Sequence, residues 1–454
     1  MSTDTAITNS ISDTAKKIGT YASLSSFADI PYKMHLLLEI GQLLMENGTD
    51  SERIMHYLKR TAVYMGIPPN HLQIHITYTS ILLNVSNPER TYTKIRKCRK
   101  HSVNMYTLAS TARLIWRAMR ARYSLNRFKK RIDQIKAKEL PYTPLQTAIG
   151  SSFACGGSCL LFGGDLGAFF ITAVCAFLGF FTRIFCNKHG FNPYASISIA
   201  AFVATLMACL SQQLHISATP MLPIVACALF MVPGVPLMNS AADMINNYIN
   251  AGMTRAADTL LIISSMAFGT AIAMQVGQFS DFASLSLSPG DIYLYHPIAG
   301  AISAGGFSLL FNVPRRVVWV VAVGGMLTIL IRNICMFDLG LSQAVSSFFG
   351  AASLGILALS AVRWFHIPNI VLTLPSAIPL IPGVLLYRSL FTLLNIDTIS
   401  PEMLSAGVRS GIEAVTIIIS ITIGVTIHNI FFSRQIRRRN IEQERKLMES
   451  FEGD

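Results

Sequence analysis

A series of long apolar blocks between residues 145 and 433 constrains this chain more than any other feature. Each block has roughly 18–22 residues, and a helix of that length crosses a hydrocarbon core of about 30 Å. Hydrophobic residues make up 52% of the chain and charged residues only 13%, which is too apolar for a soluble protein of this length. The sequence therefore predicts an all-α polytopic membrane protein with ten transmembrane helices, at about 146–163, 166–186, 194–212, 219–236, 257–278, 295–312, 316–334, 342–362, 369–390 and 409–432.

Composition divides the chain into five parts. Residues 1–32 are rich in Ser and Thr and lack the apolar segment of a signal peptide, which predicts a disordered tail. Residues 33–66 show the periodicity of two helices, the first ended by Gly48 and the second started by Thr49-Asp50-Ser51, and residues 72–85 predict a strand or hairpin. Residues 33–140 are therefore predicted to form a small α+β cytoplasmic domain. Two five-helix membrane units and a basic cytoplasmic tail complete the chain, at 145–280, 294–433 and 434–454.

The distribution of Lys and Arg orients the membrane helices, because cytoplasmic segments carry an excess of both residues. Sixteen of them lie within residues 90–140, before the first helix, and Arg434 and Arg437–Arg439 follow the last one. Both termini are therefore predicted on the cytoplasmic side of an inner membrane, which requires an even number of spans. The net charge of +13 then reflects basic segments beside anionic lipid headgroups, and nucleic acid is not an expected partner.

Two Pro-Gly pairs interrupt the apolar blocks, Pro233-Gly234 and Pro382-Gly383, and the offset between them is 382 − 233 = 149 residues. The same offset aligns Gly156-Gly157 with Gly305-Gly306, Leu160-Leu161-Phe162 with Leu309-Leu310-Phe311, Arg183 with Arg332, and Cys186 with Cys335. A duplication of one unit of 149 residues explains these matches. Five spans per unit is an odd number, so the second unit must enter the membrane from the opposite side as an inverted repeat.

Inverted repeats with broken helices are a recurring plan of secondary transporters, in which the breaks surround a substrate site near the bilayer midplane. A break frees backbone groups, which are tolerated at depth only beside protein or a watery cavity. The other interpretation is that Pro-Gly only kinks a packed helix. Two breaks at equivalent positions favour the binding site.

The segments around the breaks resemble a known family. VPGVPLMNSAADMINNYINAG (232–252) and LLLEIGQLLMENGTDSERIMHYLKRTAVYMGI (36–67) resemble the threonine/serine exporter family, and SAIPLIPGVLLYRSLF (376–391) resembles its second half, which some bacteria encode separately. The resemblance covers roughly residues 33–433. It implies an inner-membrane exporter of small amino acids driven by the proton motive force. Some split relatives are associated with export of C4-dicarboxylates, such as succinate, so the substrate stays open.

The helix after the first break carries polar residues at a spacing of four, Asn239, Asp243 and Asn247. This spacing places them on one helix face. Intramembrane ionisable residues are functional candidates, so Asp243 is predicted to bind a substrate ammonium group or to carry a proton. The alternative is an amphipathic helix at the cytoplasmic surface, with its polar face in water.

After the second break, Arg388 is the expected partner of a substrate carboxylate, unless it snorkels to the outer interface. Glu413 and Asp258 begin apolar stretches and are candidates for proton coupling, unless they lie in the headgroup layer. The predicted substrate-binding residues are Pro233, Gly234, Asn239, Asp243, Asn247, Ser376, Pro382, Gly383, Tyr387 and Arg388.

No P-loop, dinucleotide fingerprint or nucleophile elbow occurs in the sequence, so neither a cofactor nor ATP-driven transport is expected. The cysteines form no metal-binding spacing, and no metal is predicted. Two other functions stay open. One is a passive channel, and the other is a membrane-anchored hydrolase that uses Glu39 or His71 of the N-terminal domain. A small molecule, protons and lipids are the expected partners, and a homo-oligomer is compatible with the sequence.

Overall fold

A computed structural model describes residues 29–86, 90–121, 123–277, 292–365, 367–394 and 400–451. Within these ranges the protein is mostly helical and contains one three-stranded sheet. Residues 1–28 of the predicted tail lie outside the described part. The first helix already begins at Ile30, so the boundary predicted at residue 32 falls inside a helix.

The N-terminal part contains the two predicted helices, α1 (Ile30–Glu46) and α2 (Ser51–Tyr64). Gly48 ends the first helix region with a φ of +92°, a conformation that favours glycine. Asp50 caps α2, because its side chain accepts a hydrogen bond from the backbone N–H of Arg53. The sequence signals for the end of one helix and the start of the next are confirmed here.

The predicted strand region forms an antiparallel hairpin of β1 (Leu72–Ile76) and β2 (Ser80–Ser86). A third strand, β3 (Thr91–Lys97), pairs with β2 and was not predicted, since its basic residues are largely exposed and give no apolar alternation. Helices α3 (Met105–Arg120) and α4 (Leu125–Ala137) complete this part. Its buried core includes Leu37, Leu58, Ile81, Ile115 and Phe128.

The remaining helices follow one another with short connections. They are α5 (Pro144–Leu161), α6 (Leu166–Lys188), α7 (Pro193–Ser211), α8 (Leu222–Ala226), α9 (Gly234–Ile245), α10 (Ile249–Val276), α11 (Tyr295–Leu310), α12 (Val318–Asn333), α13 (Gln343–Phe365), α14 (Ile370–Ala377), α15 (Gly383–Leu394) and α16 (Pro401–Phe451). Each of the ten predicted segments overlaps helix, but the fourth and ninth are each divided at a break, with helix continuing to Ile245 and Leu394. Helix begins at Ile249 in the fifth segment and covers Pro401–Phe451 in the tenth, so these bounds also differ from the prediction.

Five helical segments of the described residues are long and apolar enough to cross a membrane, at Leu166–Lys188, Pro193–Ser211, Ile249–Val276, Arg315–Asp338 and Pro401–Ile427. Counting each of two bent helix pairs as one span raises the number to seven. These helices agree with a polytopic membrane protein, whereas the predicted number of ten spans exceeds what length and apolarity alone support.

The two bent pairs break at the Pro-Gly positions, with angles of 61° at the first break and 57° at the second. A turn of 3₁₀ helix precedes each break, at Leu229–Met231 and Ile378–Leu380. The N–H of Gly234 donates to the carbonyl of Val232 at 2.8 Å, and the φ and ψ of Pro233, −79° and 62°, are those of an inverse γ-turn. The chain therefore bends sharply within a few residues instead of curving gently along the helix.

The second break repeats this hydrogen-bond pattern. The N–H of Gly383 donates to the carbonyl of Ile381 at 2.8 Å. The helices after the breaks, α9 and α15, begin and end at positions 149 residues apart. Corresponding helices also make corresponding contacts, since α5–α6 matches α11–α12, and α9–α10 matches α15–α16.

Helices α5 and α11 cross closely at two of the aligned glycines. A Cβ on Gly157 would lie 2.6 Å from the backbone nitrogen of Ser303, and a Cβ on Gly306 would lie 2.2 Å from that of Ala154. The Oγ atoms of Ser158 and Ser303 are 3.0 Å apart across the same crossing. Small residues permit this close approach, which is typical of helix packing in membranes.

We expect Gly306→Ala to destabilise the protein by roughly 1–3 kcal/mol, because its Cβ meets backbone atoms of α5 that cannot move aside. Gly305→Ala is the matched control, since its Cβ would meet only the Ala322 Cβ, at 3.9 Å. Thermal unfolding of the purified protein in detergent measures the difference. Equal stability of the two variants would contradict the close crossing.

Candidate functional site

The two breaks meet at one small cavity. Its lining includes Val232 and Gly234 from the first break and Ile381 and Gly383 from the second, which are pairs of residues 149 positions apart. A Cβ on Gly234 would lie 2.6 Å from the Cδ1 atom of Ile381, so the segments pack directly against each other. The structure thus brings the two predicted Pro-Gly pairs together. The cavity of about 30 Å³ accommodates water but is far smaller than an ordinary ligand pocket.

Asp243, near the end of α9, forms a buried ion pair with Arg255 of α10. The Arg255 Nη2 lies 3.3 Å from the Asp243 Oδ2, and the side chains are 3% and 0% exposed. A buried carboxylate is strongly unfavourable unless a positive charge compensates it. Arg255 supplies that charge, so the pair is close to neutral as a unit.

The polar face of α9 is covered by the segment between α1 and α2. The N–H of Ser51 donates to the Asp243 Oδ1 at 2.7 Å, and the Nδ2 of Asn239 donates to the carbonyl of Gly48 at 2.9 Å. Arg255 also contacts the carbonyl of Thr49 at 3.4 Å. The alternative of a surface helix with its polar face in water is therefore wrong, since Asn239 and Asp243 are 2% and 0% exposed.

Asn247 does not share this buried face. Helix α9 ends at Ile245, and Asn247 is exposed with a φ of +64°. The N–H of Tyr248 donates back to the carbonyl of Asp243 at 2.8 Å, which closes the helix end. The four-residue spacing assumed a continuous helix, whereas asparagine here adopts the left-handed conformation that ends one.

Asp258 connects α10 to both α7 and the N-terminal sheet region. Its two carboxylate oxygens accept hydrogen bonds from Tyr194 at 2.7 Å and from Tyr78 at 2.9 Å. Burial and the Asp258 carboxylate raise the pKa of Tyr78, so its hydroxyl remains a donor. The Tyr78 ring stacks on His101, with centroids 4.0 Å apart, and lies 5.1 Å from the Arg255 guanidinium carbon. Asp258 therefore has a clear role in attaching the N-terminal part.

The predicted residues of the second half have more varied surroundings. Ser376 is buried, and its Oγ donates to the carbonyl of Val321 at 3.0 Å, which ties α14 to α12. The ring of Tyr387 is buried against Phe391, and its hydroxyl faces the Met274 sulfur at 3.9 Å. Arg388 and Glu413 are both partly buried.

Glu39, the acid considered for hydrolase chemistry, is a buried member of an ion-pair cluster. Lys129 contacts it at 2.8 Å and Lys136 at 3.0 Å, while its side chain is 5% exposed. Burial acts to raise the pKa of Glu39, but the hydrogen bonds from both lysines outweigh it, and the pKa lies below its usual value. His71 binds the Ser86 carbonyl through Nδ1 at 2.6 Å. In the part of the chain that the structure describes, no group of three or more His, Cys, Asp or Glu residues could hold a metal ion.

Three contact residues were not predicted as site residues: Arg255 and Ser51, which bind Asp243, and Tyr78, which binds Asp258. Arg255 follows Asp243 by 12 residues, across the end of α9, a tight turn and the start of α10. Ser51 and Tyr78 lie 192 and 180 residues away from the carboxylates they contact, Asp243 and Asp258. Only the tertiary fold brings them there.

The apolar helices, the paired breaks and the buried ion pair define a polytopic membrane transport protein. A family model described as "Putative threonine/serine exporter" matches residues 35–277, and a second, described as "Threonine/Serine exporter, ThrE", matches residues 296–431. The chain belongs to the threonine/serine exporter family.

Individual relatives carry two kinds of name. The "Threonine/serine exporter" of Corynebacterium glutamicum is 21% identical over 384 residues, which are 83% of this chain and 78% of the relative. The "Probable succinate transporter subunit YjjP" of Klebsiella aerogenes is 26% identical over 240 residues, or 53% of this chain and 92% of the relative. Its Escherichia coli counterpart is 25% identical over 242 residues, or 53% and 93%. No solved structure matches the chain significantly.

We expect Glu39→Gln to lower the stability of the N-terminal part at neutral pH by roughly 1–3 kcal/mol, since two lysines lose a charged partner. A lowered carboxyl pKa stabilises the fold above the pKa of the unfolded chain, and this contribution disappears as the pH falls through the lower folded value. Chemical unfolding at several pH values should therefore show the gap between wild type and variant closing in acid. A gap independent of pH would contradict the ion-pair explanation.

Proposed function

We propose that this protein is a secondary active exporter of small amino acids, with threonine and serine as substrates, that works by proton antiport and alternating access in the inner membrane. The observation that carries the proposal is the meeting of two equivalent helix breaks at one cavity. Family membership and the name of the Corynebacterium relative supply the substrate class. The cavity is too small for threonine, so transport requires the two broken segments to separate.

The proposed architecture is a ten-helix membrane region made of two inverted five-helix repeats. Corresponding helix bounds, helix contacts and break geometry at an offset of 149 residues support it. An odd number of spans per repeat would invert the second copy and put both termini on the same side, which the flanking basic residues favour as the cytoplasmic side. The basic residues beside the first helix would then contact anionic lipid headgroups.

The proposed residue roles follow from charge. Asp243, beside the inner end of α9, would bind the substrate ammonium group or carry a proton, and Arg388, at the position equivalent to Asn239, would bind the carboxylate. Glu413 is the preferred coupling residue, because it is a partly buried carboxylate among apolar neighbours in α16. Asp258 is the second candidate, although both its oxygens accept tyrosine hydrogen bonds.

Succinate export is the second candidate function, favoured by the names of the YjjP relatives. A dianion would be repelled by Asp243, whereas a zwitterion would match the near-neutral Asp243–Arg255 pair. A hydrolase in the N-terminal part has less support, since lysines neutralise Glu39 and a carbonyl binds His71.

We expect proteoliposomes to release labelled L-threonine faster when a pH gradient is imposed, and Asp243→Asn to lower that efflux by about a hundredfold or more. The variant removes the carboxylate proposed to bind the ammonium group. It also leaves Arg255 buried without its counter-charge, which lowers the folding stability by roughly 3–5 kcal/mol. Ser240→Ala is the control on the same helix, because its hydroxyl donates to the carbonyl of Leu237 within α9. If labelled succinate is transported and threonine is not, the protein is a dicarboxylate exporter.

Glu413→Gln tests the coupling residue, because the amide cannot exchange a proton. We expect threonine exchange without a gradient to persist in this variant, while acceleration by the pH gradient is lost. Glu402→Gln is the matched control, since Glu402 lies exposed at the start of the same helix. If Glu413→Gln still responds to the gradient, Glu413 does not couple transport to protons.

A further inference from the structure

The contact between α9 and the segment Gly48-Thr49-Asp50-Ser51, called here the 48–51 segment, joins two parts of the chain through main-chain groups. One backbone N–H binds the Asp243 carboxylate, and two backbone carbonyls face the donors of Asn239 and Arg255. Three side chains of α9 and α10 thus bind the backbone of the 48–51 segment. Asp243 is an anionic acceptor, Arg255 a cationic donor and Asn239 an amide donor.

This set of groups is also what recognises an α-amino acid. A carboxylate binds an ammonium group, while guanidinium and amide donors bind a carboxylate. In the structure, the N–H of Ser51 lies where an ammonium group would donate, 2.7 Å from the Asp243 Oδ1. The Gly48 carbonyl accepts from the Asn239 Nδ2 at 2.9 Å, as a substrate carboxylate would.

Local backbone geometry explains why the 48–51 segment can imitate a ligand. Ser51 is the first residue of α2, and the first N–H groups of a helix have no partner within it. Its N–H is therefore free to donate outward to Asp243. Gly48, with a φ of +92°, turns its carbonyl toward Asn239 in a conformation that other residues rarely adopt.

Several polar atoms at this contact are incompletely satisfied. Thr49 Oγ1 and Arg255 Nε are buried and make no hydrogen bond within the described residues, and Asp243 Oδ2 has only its ion pair with Arg255 there. Buried polar atoms without hydrogen bonds are unfavourable, and separation of the segment would let water or a ligand bind them. The contact is therefore better suited to opening than a fully bonded interface would be.

We propose that the 48–51 segment is a gate that occupies a cytoplasmic entry site for an α-amino acid, formed by Asp243, Asn239 and Arg255. The amino acid and the gate then compete for the same three side chains, and entry requires the N-terminal part to move away. This adds to the proposed function, on which it rests, a carboxylate partner on the cytoplasmic side and a segment that closes the site.

Ser51→Pro tests the gate with little disturbance of α2. Proline is favoured at the first position of a helix, where its missing N–H and fixed φ are tolerated. Asp50 already has the extended backbone that precedes proline, with a φ of −72° and a ψ of 160°. The variant removes the N–H that Asp243 accepts. Ser51→Ala is the control, because it keeps that N–H and loses only the hydroxyl.

In proteoliposomes containing the full-length protein, we expect Ser51→Pro to raise threonine efflux at sub-saturating concentration by at least about tenfold over wild type and Ser51→Ala. One charge-assisted hydrogen bond from the gate corresponds to roughly that factor. Slower efflux in Ser51→Pro than in both references would overturn the proposal, since it would make the 48–51 segment a support for transport.

Hydrogen–deuterium exchange of the wild type provides a readout that needs no variant. We expect L-threonine to increase exchange in the peptide spanning residues 47–54, and succinate to leave it unchanged. The gate alone would be overturned if the wild type transports threonine at the same rate as Ser51→Pro and threonine leaves the exchange of this peptide unchanged. A wild type that moves no threonine would overturn the proposed function and the amino-acid identity of the gate's competitor.

Discussion

Backbone hydrogen bonding in a medium without water is the constraint on which this structure depends. Every N–H and C=O at membrane depth needs a partner, so a helix can be broken there only beside protein or a polar cavity. The two breaks meet this requirement together, because each packs against the other around a shared cavity. Proline removes one donor at each break, and the tight turn that follows satisfies the glycine N–H. Each break therefore depends on the other for the protein surface that it packs against.

The parts of the fold with local causes could be predicted from the sequence. Gly48 and Asp50 carry the signals that end one helix and start the next, and Pro-Gly at 233 and 382 locates both breaks. The basic strand β3 gave no such signal, because its hydrogen-bonded partner alone fixes it in the sheet. Asn247 was assigned to the wrong side of a helix end, since spacing assumes that a helix continues.

At the candidate site, the sequence suggests some of the residues, and only the tertiary structure reveals the others. Asp243 and Asn239 are candidates that the sequence alone suggests, because ionisable and amide groups are uncommon in an apolar segment. What covers them could not be predicted, since Ser51 is 192 residues from Asp243 and participates through its backbone, which every sequence carries. Arg255 could have been found by asking which cation near Asp243 in the chain would neutralise it. Tyr78 could not be found in this way, because it is 180 residues from Asp258 and reaches it only when the sheet region packs against α10.

The mutual packing of the breaks has a consequence for leakage. Leu229 and Val232 line the cavity beside the first break, and Ile378 and Ile381 line it beside the second, so apolar side chains of both segments meet there. A continuous column of water could pass only if the side chains of both segments separated and became exposed to it. That is unfavourable in proportion to the apolar area wetted. In the proposed transport cycle, the two Pro-Gly segments would therefore also act as a barrier against leakage, built from the same residues that separate for each solute to pass.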